Sequence, residues 1–402
     1  MATPTFIYDA VRTPRSKGKS SGTLHEVKPI RLVSGLLKGL QSRHDLDTSR
    51  VDDVIFGCVT PIGDQGSCLP KAAVQAAHWD QSVPALQLDR FCASGLEAVN
   101  IAAAKVGSDQ ESLIVAGGVE SMSRTPMGAN GGAMFCDPEF VLGHNSVPQG
   151  IGADLIATID GYDRQTVDHF ALQSQQRASH ARDQGWFDGS VMPVYDESGL
   201  AIMERDDFIK PQTTMEALAE LNPAFDSIGA YGFDDMALAK YPDVLKINHV
   251  HTPGNASGIV DGAAAILIGN EQAGRDIGLS PRGRIIACAA LACDPVIMLT
   301  APGPAAHRCL EKAGLTQDDI DLWEINEAFA SVALRYMSDL GIDHEITNVN
   351  GGAIAMGHPL GATGGMLISI VLDELERRSA KRAMISLCVG GGMGVSTLIE
   401  RV

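Results

Sequence analysis

The chain has 402 residues, more than one ordinary hydrophobic core accommodates, which predicts two domains or two packed halves. Its formal net charge of −18 argues against nucleic acid and anionic membrane surfaces as general partners. With 45% hydrophobic and 20% charged residues and 43 glycines, the composition is typical of a globular enzyme with closely packed α/β layers.

The eight cysteines are not arranged as metal ligands. No C-x-x-C pair is matched by a second such pair, so no structural zinc site or other metal site is expected. They are also too sparse for a disulfide scaffold, and no secretory signal or transit peptide is evident before residue 5, which predicts a cytoplasmic protein. No apolar run approaches the length of a membrane span.

The first half of the chain alternates strand patterns with helix patterns. Residues 5–8 predict a strand, and residues 28–43 predict a helix. Residues 51–57 read as an acidic turn leading into a second strand, and residues 67–77 predict another helix.

A strand pattern at residues 84–88 is followed by apolar residues at helical spacing from residue 93 to residue 106. Cys92 lies between the two, next to the small residues 93–95. A thiol in the first turn of a helix faces unpaired N–H groups and the positive end of the helix dipole, which favours the nucleophilic thiolate. The alternative is a buried, unreactive cysteine.

The pattern changes after the strand at residues 112–116. Residues 123–152 are rich in Met, Gly, Asn and Pro, and two helical patterns follow at 151–159 and 164–184. Residues 196–241 are polar and irregular. These features predict an inserted lid subdomain at about residues 122–250.

The second half repeats the first in the same order. The repeated stretches are 284–291 (like 5–8), 320–325 (like 51–56), 347–372 (like 88–106) and 383–394 (like 112–118). The helix at 366–372 is apolar nearly all round and should be buried. We therefore predict a duplicated five-layer α/β/α/β/α sandwich with halves at residues 1–275 and 276–402; chance similarity between α/β segments is the alternative.

Four chemistry-bearing segments are predicted to meet where strands end. They are Cys92, the stretch 326–330 that begins with Asn326, the glycine-rich stretch 350–364 that contains His358, and the stretch 388–394 that begins with Cys388. Taken singly, Asn326 is typical of a helix N-cap, His358 of a loop and Cys388 of a core. Their joint occurrence favours a catalytic site.

Together these motifs resemble the thiolase family. The resemblance rests on Cys92, NEAFA at 326–330, GHPLGATG at 357–364 and CVGGGMG at 388–394, and it extends from residue 12 to residue 394. It implies the duplicated thiolase-type fold and an acyltransferase that reversibly cleaves or forms 3-oxoacyl-CoA through an acyl-enzyme on Cys92. Coenzyme A would be a co-substrate, with no permanently bound cofactor.

The resemblance also implies a role for each matching residue. His358 would take the proton from Cys92 and help to hold the thioester oxygen, and Asn326 would position a water at the same place. Cys388 would move a proton at the α-carbon of acetyl-CoA. The backbone N–H groups of Cys92 and Gly390 would form a second oxyanion hole.

Further implications concern partners and substrate. Ser257 would line the site of the CoA pantetheine, the substrates would be acyl-CoA and CoA, and the protein would be a homodimer or homotetramer. Many thiolases carry a His-Met pair in the lid, and the matching residues 147–154 of this chain lack it. The 123–147 stretch looks shorter than the corresponding loop of tetrameric biosynthetic thiolases, and residues 227–246 look inserted. All three departures fall where the acyl chain would be recognised.

We therefore expect a degradative 3-ketoacyl-CoA thiolase. The alternatives are a biosynthetic acetoacetyl-CoA thiolase and a catalytically silent thiolase-like protein that binds CoA esters or lipids. A β-ketoacyl synthase would use cysteine with two histidines, whereas Asn326 and Cys388 stand here. A nicotinamide-dependent dehydrogenase would need a G-x-G-x-x-G motif after its first strand, and none is present.

Overall fold

The computed structural model describes residues 3–402. Its strands are β1 (Thr5–Arg12), β2 (Ser16–Lys17), β3 (Asp53–Gly57), β4 (Ala85–Leu88), β5 (Leu113–Ser121), β6 (Val194–Tyr195), β7 (Ala201–Met203), β8 (Val260–Gly269), β9 (Gly283–Ala292), β10 (Leu322–Ile325), β11 (Arg382–Val389) and β12 (Met393–Arg401).

The helices are α1 (Pro29–His44), α2 (Leu69–Ala76), α3 (Ser94–Gly107), α4 (Ala133–Cys136), α5 (Pro138–Gly143), α6 (Gln149–Asp160), α7 (Arg164–Asp183), α8 (Met215–Ala219), α9 (Asp226–Ile228), α10 (Asp234–Lys240), α11 (Glu271–Asp276), α12 (Pro302–Ala313), α13 (Ala330–Leu340), α14 (Ala353–Met356) and α15 (Thr363–Arg378).

Strand pairing repeats between the two halves of the chain. The order is β4-β3-β5-β8-β1 in the first half and β10-β11-β12-β9 in the second, with parallel pairs first and antiparallel pairs after them. The second-half strand expected to match β4 is reduced to a single bridge between Thr347 and Trp323. The two expected sheets are also joined, because β1 pairs antiparallel with β9.

The layers follow from the alternation of side chains along each strand. In β3, Val54 and Phe56 pack in the same cluster as α1 and α2, whereas Ile55 packs with the central helices α3 and α15. In β11, Met384 packs with α12 and α13, whereas Ile385 joins the central cluster. Each half of the sheet therefore lies between an outer helix layer and the shared central pair, which gives five layers.

The central helices approach each other closely. The first ten residues of α15 are all buried, which confirms the buried helix predicted at 366–372. A Cβ at Gly364 would lie 2.2 Å from the backbone nitrogen of Leu96, and one at Gly95 would lie 2.5 Å from the carbonyl oxygen of Gly361. Only glycine fits these two positions, which bring the His358 loop against the start of α3.

The segment predicted as a lid contains α4 to α10 and the β6–β7 hairpin. The two long helices predicted there correspond to α6 and α7. The stretch 196–241 is less irregular than expected, since it holds β7 and three short helices. We propose that the two halves divide near residue 275, where α11 ends.

Candidate active site

Cys92 lies in a tight turn between β4 and α3. The helix begins at Ser94, so Cys92 precedes the first turn instead of lying in it as expected. Phe91 has a φ of 45°, a left-handed value that is costly for a side chain of this size. The Ser94 hydroxyl accepts from the N–H of Arg90 (2.8 Å) and donates to the carbonyl of Phe91 (2.6 Å), which holds this turn.

The expectation that helix position would favour the Cys92 thiolate is wrong. Burial raises the pKa of the Cys92 thiol to about 11. The nearby Gln149 side chain and the backbone N–H groups of Cys92 and Gly390 lower the pKa, but only partly offset the effect of burial. The resting residue is a thiol, and it needs a base before it can act as a nucleophile.

His358 is arranged to be that base. Its Nδ1 lies 2.6 Å from the hydroxyl oxygen of Thr363, and this hydroxyl donates to the carbonyl of Pro359 (2.9 Å). Because the hydroxyl proton is already used, Nδ1 carries the imidazole hydrogen and Nε2 is left as an acceptor. Burial and the nearby Arg15 charge lower the pKa of His358 to about 3, so the ring is neutral at neutral pH.

Asn326 faces that acceptor. Its Nδ2 lies 3.3 Å from Nε2 of His358, and the side chain is buried at the end of β10. The alternative interpretation as a helix N-cap is wrong, because α13 begins at Ala330 after Phe329. The Asn326 Oδ1 is buried and has no hydrogen-bond partner among residues 3–402.

Cys388 comes from the second half and lies near the end of β11. Burial raises the pKa of its thiol, and the nearby Cys92, whose thiolate would repel a second negative charge, raises it further. Gly390 follows, and its N–H lies near enough to the Cys92 sulfur to lower the pKa of that thiol. The structure therefore brings the two cysteines and Gly390 together, although they are almost 300 residues apart in sequence.

The loop of Ser257 lies against the His358 loop. The N–H of Ser257 donates to the carbonyl of Ala328 (2.9 Å), and the N–H of His358 donates to the carbonyl of Gly258 (2.8 Å). Ser257 itself is half-buried. This places it beside the catalytic candidates, at a position open to solvent.

Sequence reasoning missed two buried carboxylates that hold these loops. Glu120 accepts from the N–H groups of Val59 and Gly361, both at 2.9 Å, and so connects the Cys92 half to the His358 loop. Glu327 accepts from Ser174 (2.6 Å) and from Asn348 (2.9 Å). The available signal was an acidic residue within four residues of the end of a predicted strand, which reads equally well as a solvent-exposed turn.

Family models match nearly the whole chain: the thiolase N-terminal domain matches residues 5–232, and the thiolase C-terminal domain matches residues 279–401. The chain belongs to the thiolase family. The predicted resemblance is thereby confirmed, and with it the assignment to the acyltransferases.

Individual thiolases are similar over their full length. A 3-ketoacyl-CoA thiolase from Cronobacter sakazakii is 37% identical over 98% of this chain and 99% of its own. An acetyl-CoA acetyltransferase from Allochromatium vinosum is 36% identical over 98% of both chains.

Two solved structures confirm the predicted fold class. The Bacillus anthracis acetyl-CoA acetyltransferase superposes with a TM-score of 0.86 at 31% identity, and the human mitochondrial 3-ketoacyl-CoA thiolase with 0.85 at 32%. Each comparison covers 100% of this chain and 99% of the other.

Within residues 3–402 of this thiolase, no cluster of three or more His, Cys, Asp and Glu side chains is placed to hold a metal ion. Over the same range, no helix combines the length and apolar character needed to cross a membrane.

Proposed function

We propose that this thiolase cleaves 3-oxoacyl-CoA with CoA, releasing acetyl-CoA and a shortened acyl-CoA, through an acyl-enzyme on Cys92. The observation that carries the proposal is the convergence at Cys92: the N–H of Gly390 lies near its sulfur, and Cys388 lies beside it. Leu360, two residues after His358, packs in the same cluster as Cys92. These contacts support the proposal that a nucleophile, a base and a second acid/base share one buried site.

In the first half-reaction, the Cys92 proton moves to Nε2 of His358 as the sulfur attacks the C3 ketone. The oxyanion that forms accepts from the N–H groups of Cys92 and Gly390. The C2–C3 bond then breaks, leaving an acyl group on Cys92 and the enolate of acetyl-CoA. Protonated His358 and a water held by Asn326 stabilise the enolate oxygen, and the Cys388 thiol protonates C2.

In the second half-reaction, the Cys388 thiolate first recovers a proton from protonated His358, and the neutral His358 then takes the proton of the incoming CoA thiol. The CoA sulfur attacks the thioester on Cys92, and Cys92 leaves as a thiolate that recovers its proton from His358. Every group returns to its starting protonation state. The reverse sequence is the Claisen condensation.

We infer that CoA is a co-substrate and that no cofactor is permanently bound, with Ser257 lining the pantetheine site. Relatives named 3-ketoacyl-CoA thiolase support the degradative direction. Relatives named acetyl-CoA acetyltransferase support the condensation direction as the second candidate. We expect a homodimer or homotetramer. We also expect the reducing cytoplasm as its compartment, since all eight cysteines are free thiols.

An activity panel tests the proposal. The enzyme is mixed with CoA and 3-oxoacyl-CoA esters of increasing chain length and branching, and loss of the enolate absorbance is followed. We expect a higher kcat/KM on at least one longer ester than on acetoacetyl-CoA. Turnover confined to acetoacetyl-CoA would support the biosynthetic alternative, and turnover of none would contradict the proposal.

A further inference from the structure

A buried carboxylate of the lid accepts several hydrogen bonds outside the catalytic residues. Asp154 lies on α6 and is fully buried. It accepts from Nδ1 of His249 (2.8 Å), from Nδ1 of His251 (2.7 Å), and from the backbone N–H groups of Val250 and His251 (3.0 Å each). Although burial raises the pKa of Asp154, the hydrogen bonds from both histidines hold it below its ordinary value.

His249 also reaches a second carboxylate. Its Nε2 lies 3.0 Å from Oδ2 of Asp234, the first residue of α10. Both ring nitrogens therefore face carboxylate oxygens, and only a protonated histidine can donate from both. The hydrogen bond from His249 to Asp154, together with Asp234, raises the pKa of His249 to about 9. We call the group Asp154, His249 and Asp234 the His249 bridge.

The helix that the bridge holds shares an apolar cluster with one of the proposed catalytic residues. Ala237 of α10 and Ile151 of α6 are buried in the same apolar cluster as Cys388. Phe233 and Met236 of the 227–246 segment pack against that cluster. The acyl chain of a substrate at Cys92, which lies beside Cys388, would therefore have this segment as a neighbour.

The other end of the bridge leads toward the nucleophile. Gln149, the first residue of α6, lies near the Cys92 sulfur and lowers the pKa of that thiol. Asp154 follows five residues later, a rise of about 7.5 Å along the helix. A shift of α10 that displaces Asp154 would therefore also displace α6, whose first residue lies near Cys92.

We propose that His249 is a positioning residue that fixes α10 of the 227–246 segment against α6 and so sets the shape of the acyl-chain subsite. The proposal rests on the thiolase activity proposed above. The side chains of His249 and Asp154 are 6% and 0% exposed, so water screens their charges poorly. Asp234 is more exposed, and replacing it detaches α10 while leaving the other hydrogen bonds of Asp154 in place.

The bridge weakens as the pH rises. Since the folded-state pKa of His249 is raised, its stabilising contribution is complete below the unfolded value near 6.5 and is lost as the pH rises through about 9. The charged groups facing the ring are Asp154 and Asp234, and His251 shares Asp154. Alkaline pH should therefore release α10 in the parent enzyme.

Asp234→Asn tests the bridge, and Asp235→Asn is the matched control, because Asp235 occupies the same helical turn and is exposed. Trypsin cleavage after the exposed Lys240 and Lys246 reports release of α10. At pH 7.5 we expect cleavage about fivefold faster in Asp234→Asn, as for loss of a partly buried ion pair, and unchanged in Asp235→Asn. The parent should approach the Asp234→Asn rate above pH 9, with trypsin activity normalised on a peptide.

The substrate readout uses the same proteins. We expect Asp234→Asn to change the ratio of kcat/KM between a long-chain 3-oxoacyl-CoA and acetoacetyl-CoA by about fivefold or more, with thermal unfolding used to check folding. Parent-like cleavage and an unchanged ratio would overturn the proposal. If the parent turned over no 3-oxoacyl-CoA, the proposed function would fail, while the proteolysis result would still decide whether His249 holds α10.

Discussion

Cys92 and His358 are both uncharged at neutral pH, and burial is the main cause for each. Burial disfavours the thiolate and the imidazolium alike, so the resting pair is a thiol and a neutral imidazole. Such a pair creates its nucleophile only when a proton moves between the two groups. Thr363 contributes by fixing the tautomer in which Nε2 of His358 is the acceptor.

The pH profile of acylation should reflect this pairing. Because the pKa of His358 is held near 3, the rate of acetyl-enzyme formation should show no histidine limb between pH 5.5 and 7.5. Arg15→Met removes a positive charge that lowers the pKa of His358, so the pH below which acetylation slows should rise toward the ordinary histidine pKa. Arg15→Lys keeps the charge and should leave that pH unchanged. Rapid-quench measurement of the acetylation rate at each pH tests this expectation. A fall in the parent rate centred near pH 6.5 would contradict the assignment of a low pKa to His358.

Two further variants separate the proposed roles of His358 and Cys388. Cys388→Ala should still form acetyl-enzyme from acetyl-CoA and exchange the acetyl group with CoA. It should lose cleavage and condensation by about two to four orders of magnitude, the range for a removed acid/base. His358→Ala should lose acylation as well.

Single-turnover acetylation and steady-state cleavage, measured on both variants, make this comparison. Cleavage by Cys388→Ala at near the parent rate would show that Cys388 does not serve the α-carbon. Failure of that variant to become acetylated would show that the roles are not separate.

At the level of elements, the central pair α3 and α15 holds the site together. Cys92 precedes α3 and His358 precedes α15, and the two loops meet where Gly95 and Gly364 leave no room for a side chain. The separation between nucleophile and base is thus set by helix packing. The lid adds a third element through Gln149 at the start of α6.

The 227–246 segment should influence which acyl chains are accepted, because its apolar side chains flank the cluster that contains Cys388. Replacing it by a Gly/Ser link should change relative kcat/KM among substrates more than it changes acetoacetyl-CoA turnover. Replacing residues 197–199, an exposed turn between β6 and β7, is the control. Equal loss on every substrate would mean that the segment is only structural.

Most strands and long helices were predictable because their apolar residues repeat with a local period. The strand expected after residue 347 does not form, because this part of the chain pairs with β10 only at Thr347. The Cys92 pKa was predicted in the wrong direction, since helix position is visible in a sequence whereas the burial that raises this pKa is not. Glu120 and Glu327 were missed for the same reason, because their partners are distant in sequence.

In the whole molecule, the two halves share a core. Apolar residues of both halves, such as Ile55 and Ile385, pack in one cluster with α3 and α15, and β1 pairs with β9. Neither half can bury its central helix without the other. The catalytic candidates divide in the same way, with Cys92 in the first half and Asn326, His358 and Cys388 in the second.

The shared core predicts that residues 1–275 and 276–402 do not fold separately. Each half expressed alone should lack a cooperative thermal transition by circular dichroism, while the full chain should unfold in one transition. Co-expression of the two halves is the control and should restore folding. Two separate transitions in the full chain would contradict a common core.

The central claim is that Cys92 carries the acyl group. The direct measurement is peptide mass spectrometry of the enzyme quenched after mixing with acetyl-CoA, with Cys92→Ser as the control. We predict one acetyl group per active site, on the peptide containing Cys92, and its loss when free CoA is added. Stoichiometric acetyl on Cys388, or an active enzyme that carries no acetyl group on Cys92, would contradict the account.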